Sequence, residues 1–66
     1  MTGIEFKIML QNAIGNKVTL EVTQLEYIYK ANGKSDSIGK EYIHNLKPNS
    51  VQAAGWINTS SLLSEY

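Results

Sequence analysis

Histidine is the side chain that ordinarily titrates near neutrality, and this chain of 66 residues has one, His44. Glu41 lies three residues before it, so on a helix the two would share a face and could pair. Catalysis needs more than that: a base, nucleophile or metal converging on one point. No phosphate-binding loop, glycine-rich dinucleotide loop, Gly-x-Ser-x-Gly elbow or zinc signature occurs. Cysteine is absent, which removes disulfides and thiolate metal sites. The expectation is therefore a surface histidine, no catalytic residue, no metal, no cofactor, and a protein that is not an enzyme.

A second set of residues suggests binding. Tyr27 and Tyr29 are followed by Lys30, Lys34, Lys40 and Tyr42, an interleaving of rings and ammonium groups. On a small β-sheet such a set could stack bases and track a phosphate backbone. The same residues also suit a hairpin whose tyrosines pack across strands while lysines keep an edge soluble. Trp56 is the only tryptophan, and it serves either the core or a contact surface, where tryptophan is enriched. Leu62, Leu63 and Tyr66 pose the same choice: they close the chain's own core or dock on a second copy.

Charge gives the nucleic-acid reading little support. Six lysines balance six acids, and arginine, the best bidentate reader of phosphate and guanine, is missing. Between Tyr27 and Lys47 four lysines face two acids, a local excess of +2 that falls short of a polybasic tract. A chain of this size makes one domain with a thin core. With disulfides and metals set aside, self-association is the reinforcement left to it. No run of apolar residues reaches the length of a membrane span, and the first residues do not read as a secretory signal. The expectation is a cytoplasmic protein with no membrane partner.

The elements that must position these residues read mainly as strands. Ile4, Phe6, Ile8 and Leu10 alternate with Glu5, Lys7, Met9 and Gln11, which predicts a strand over Ile4–Gln11, with a loop at Asn12–Asn16. Val18, Leu20 and Val22 alternate in the same way. The apolar series then shifts parity at Gln24 and resumes at Leu25, Tyr27 and Tyr29, which predicts a bulge or bend near Thr23-Gln24 in one long strand. That strand would serve two surfaces, with the tyrosines closing a barrel or meeting a partner. Ala31-Asn32-Gly33-Lys34 is a type I′ hairpin signal. Residues 37–46 fit either a returning strand or a short helix, and Lys47-Pro48-Asn49-Ser50 reads as a turn. Val51, Ala53, Gly55 and Ile57 alternate as a last strand, and Thr59–Tyr66 suits one capped helical turn.

Two short stretches carry resemblances. Leu46-Lys47-Pro48-Asn49-Ser50 looks like the Leu-x-Pro-x-Thr turn of fibronectin type III domains, with Gln52 where that pattern has tyrosine. Ile14-Gly15-Asn16-Lys17-Val18-Thr19-Leu20 resembles the lead-in to the first strand of Sm-like or SH3-like barrels. The fold expected is a mainly β domain, a small antiparallel sheet or open barrel of four or five strands with a short C-terminal helical turn; β-β-α-β is the alternative. The function expected is a non-catalytic binding protein acting through protein–protein contact as a homo-oligomer, of the inhibitor or adaptor type that phages and mobile elements encode. A nucleic-acid-binding barrel and a binder of a nucleotide-like ligand between subunits are the alternatives.

Overall fold

Residues 3–14 form a helix where alternation predicted a strand. The start is fixed by Thr2, whose hydroxyl accepts the Glu5 amide at 3.1 Å while its own amide donates to the Glu5 carboxylate at 2.9 Å. That reciprocal pair is a capping box, and it satisfies two amides that a helix start would otherwise leave open. The helix α1 runs Gly3–Ile14 and buries Gly3, Phe6 and Leu10, a spacing of three and four. Ile4 and Ile8, which completed the apparent alternation, lie outside that stripe and are exposed. The computed structural model describes residues 1–63; Tyr66 of the C-terminal set, and the end of the helical turn expected there, lie outside the described residues.

Three strands follow: β1 (Thr19–Val22), β2 (Glu26–Ala31) and β3 (Lys34–Gly39), paired antiparallel in the order β1-β2-β3. The parity shift near Gln24 is a tight turn between two strands, not a bulge in one. Thr23 closes it, donating its amide to the Glu26 carbonyl at 2.9 Å and accepting the Glu26 amide on its hydroxyl at 2.9 Å. The Asn32-Gly33 turn forms as its sequence predicts, with φ of 55° and 76° at the two positions.

Residues 37–46 divide between both readings. The strand continues to Gly39, and α2 (Lys40–Asn45) begins at the next residue. The last predicted strand is instead helix α3 (Val51–Thr59), capped by the Ser50 hydroxyl, which accepts the Ala53 amide at 3.1 Å. Its buried residues are Ala53 and Ile57, four apart, while Val51 is 89% exposed and only mimicked a strand period. A 3₁₀ turn, Ser61–Leu63, ends the described chain. The fold is thus mixed α+β, with three strands among the described residues rather than the four or five expected of a mainly β domain. The β-β-α-β order does not occur either, because α1 precedes all the strands and two helices follow them.

The pairing register puts Tyr27, Tyr29 and Ala31 on one face of the sheet, beside Leu20, Val22 and Ile38. This face meets the helices. Phe6 packs at 5.4 Å between ring centroids from Tyr29 and at 5.0 Å from Trp56, and Ile43, Leu46, Ile57 and Leu62 complete the core. Gly3 packs directly against Tyr27: a Cβ there would lie 2.7 Å from that ring, so any side chain needs the ring to shift. The opposite face carries Thr19, Glu21, Lys30, Ser35 and Ser37, which are exposed, around half-buried Ile28.

Candidate functional site

The residues singled out from sequence are partly gathered and partly dispersed. Tyr27 and Tyr29 do share a face, but it is the face under α1. Tyr29 is fully buried, and its hydroxyl donates to the Gly3 carbonyl at 3.3 Å. Burial pushes its phenol above the ordinary range, with Tyr27 adding in the same direction. Tyr27 is half-buried, with its hydroxyl 3.1 Å from His44 Nε2 and Lys40 Nζ 5.8 Å from its ring centroid. Trp56 is half-buried too and presents its edge to Phe6 and Tyr29. These rings make one aromatic cluster, with Lys40 and His44 at its rim.

The other candidates lie elsewhere. Lys30 is on the open face, ion-paired with Glu21. Lys34 sits at the Asn-Gly turn, at the other end of β3 from Lys40, and Tyr42 is exposed on α2. A base-stacking platform needs free ring faces beside free cations. Here Tyr29 has no exposed face, and Lys30 is held by a carboxylate. The His44 contact is to Tyr27 rather than to Glu41. Among the described residues no group of three metal-ligating side chains is present, and no helix is long and apolar enough to cross a membrane.

A different surface stands out. Between the first half of α1 and β1 runs a groove of about 290 Å³ lined by Thr2, Gly3, Ile4, Leu20, Val22 and Tyr27. Ile4 is 65% exposed and Val22 61%, and Ile8 lies one turn along α1 on the side of Ile4. Leu25, at the tip of the β1–β2 turn, is 75% exposed. Burial falls from Val18, which immediately precedes β1 and is fully covered, through Leu20 to Val22. The apolar face of the strand therefore continues past the end of the core. In sequence Ile4 and Ile8 read as strand residues; the signal that they are not is that they are apolar beyond what the α1 stripe needs.

The backbone of β1 is open along the same line. Counting from the Thr23–Glu26 bond, Glu21–Ile28 and Thr19–Lys30 are the pairs that exchange hydrogen bonds with β2. Leu20 and Val22 consequently aim their amides and carbonyls away from the sheet. Just before β1, the Gln11 side chain covers this line by accepting the Val18 amide at 3.1 Å. The far edge is treated differently. On β3 the Ser35 carbonyl accepts the Ser61 hydroxyl at 2.8 Å, and the Ser37 amide donates to Asp36 at 2.8 Å. Asp36 also accepts the Ser61 amide at 3.0 Å, which fastens the 3₁₀ turn to that edge.

Comparison with protein-family models, with curated proteins and with solved structures returns no match for this chain.

Proposed function

We propose that this chain is a non-catalytic binding protein that works through protein–protein contact and self-associates. The observation that carries this reading is the apolar groove beside an open strand edge, lined by Ile4, Leu20 and Val22, with exposed Ile8 one turn further along α1. Exposed apolar residues scattered singly are ordinary on a protein surface, whereas a contiguous set is a mark of contact sites. Transferring a large aliphatic side chain from water to a packed interface is worth about 1.5–3 kcal/mol. A symmetric contact uses each residue twice, once from each copy. The thin core of so small a domain gains from the same burial.

Native mass by sedimentation, followed from micromolar to near-millimolar concentration, tests the proposal. The expected result is a dimer or larger species. Val22→Lys places an ammonium in the groove from an exposed position, and it is expected to shift the mass to monomer with the circular dichroism spectrum unchanged. A monomer at every concentration would overturn the reading, as would a Val22→Lys protein that assembles as the parent does.

A further inference from the structure

We infer that the self-associating surface is strand β1 itself, paired antiparallel with β1 of a second copy about a two-fold axis at Leu20. The inference rests on the self-association proposed above and names the element, partner and register. It begins from the sequence Val18-Thr19-Leu20-Glu21-Val22, which reads apolar-polar-apolar-polar-apolar from either end. An isologous contact between antiparallel strands needs this self-complementarity, because each residue i meets the residue equally far beyond the axis. With Leu20 on the axis, Val22 of one copy stands opposite Val18 of the other, and Thr19 stands opposite Glu21.

The hydrogen-bonding phase agrees with the side chains. Leu20 and Val22 turn their amides and carbonyls outward, so Leu20 exchanges two bonds with its symmetry mate. The Val22 amide then reaches the Val18 carbonyl of the second copy, which leaves the bond from the Val18 amide to Gln11 in place. On the helix side, α1 runs antiparallel to β1: Gln11 lies against Val18, and Gly3 and Ile4 lie beside Val22. The two-fold therefore sets the two α1 helices antiparallel on one face of a continuous sheet, with Ile4 and Ile8 of each copy toward the other.

Charge disfavours one neighbouring register and apolar matching disfavours the other. Moving the axis to Glu21 would place the two Glu21 carboxylates directly opposite each other, which is destabilising. Moving it to Thr19 would set Lys17 opposite Glu21 but place Val22 opposite Asn16, so the valine would lose its apolar partner. With the axis at Leu20, the two Glu21 carboxylates are only diagonal neighbours, and each has Lys17 of the second copy on its other diagonal and its own Lys30 beside it.

The chain has no cysteine, which makes crosslinking a direct readout. Thr19 and Glu21 are both exposed on the open face. In the inferred register they form a non-hydrogen-bonded pair with Cα atoms about 4.5 Å apart, within the reach of a disulfide. Thr19→Cys and Glu21→Cys proteins are oxidised separately and as a mixture. The mixture is expected to give at least about tenfold more covalent dimer than either protein alone, because same-residue pairs are diagonal, with Cα atoms about 7–8 Å apart, at or beyond the range a disulfide bridges. Preferential crosslinking of Thr19→Cys alone would put the axis at Thr19 and overturn the inference; Glu21→Cys alone would put it at Glu21 with the same result. A native dimer that forms no mixed crosslink would overturn β1 pairing while leaving self-association standing. A native monomer would remove both.

Discussion

At the scale of the residue, two glycines in helices give opposite expectations. Gly3 faces the Tyr27 ring at a separation no Cβ tolerates, whereas a Cβ at Gly55 in α3 would meet nothing within 4 Å. Gly3→Ala must push α1 away from the sheet or displace the ring, an overpacking cost of about 1–3 kcal/mol. Gly55→Ala removes the entropy penalty of a helical glycine and is expected to stabilise by about 0.5–1 kcal/mol. Urea unfolding of the two proteins checks the pair: the Gly3→Ala midpoint falls and the Gly55→Ala midpoint rises. Equal shifts would mean that the contact between α1 and Tyr27 is looser than its geometry states. Thr2 and Glu5 act at the same scale, since the Thr2 amide, with the Thr2 side chain in support, holds the Glu5 carboxyl below its usual range.

At the scale of the element, Asp36 ties β3 to the turn at Ser61. Removing the carboxylate in Asp36→Ala should cost about 2 kcal/mol, the order of a hydrogen bond to a charged group. The effect should concentrate in the 3₁₀ turn, with the Ser61 amide exchanging with deuterium faster than amides of α1; uniform acceleration would count against so local a role. Strand elements were the more legible ones in the sequence, because Val18, Leu20, Val22 and the Asn32-Gly33 turn obey rules that need only near neighbours. The helices were not. Ile4 and Ile8 added apolar residues off the α1 stripe, and Val51 did the same on α3, so both helices counterfeited a period of two. In α1 those surplus residues border the proposed contact surface, and a pattern serving a partner as well as the core is harder to read. Tyr27 and Tyr29 were legible as sharing a face, but not that α1 covers that face, which only the placement of Phe6 against Tyr29 decides.

At the scale of the whole molecule, Tyr29 links the core to the solution pH. Its phenol stays protonated above the ordinary value of about 10 because burial disfavours the charged form. As pH rises past that value the unfolded chain releases this proton while the folded chain keeps it, so stability is full below about pH 10 and declines above it. The slope from this one group is at most about 1.4 kcal/mol per pH unit. Tyr29→Phe should flatten the alkaline decline in the urea midpoint relative to the parent, and parallel declines would show that other groups cause it. The two sheet edges have a consequence of their own. In the proposed pair, a six-stranded sheet would present a β3 at each end, and each β3 is already occupied by Asp36 and Ser61. The edge that recruits is consumed at the two-fold, and the edges left over are blunted. If strands assemble as proposed, they would stop at two copies, with the Asp36–Ser61 clasp separating a finite dimer from a growing fibre.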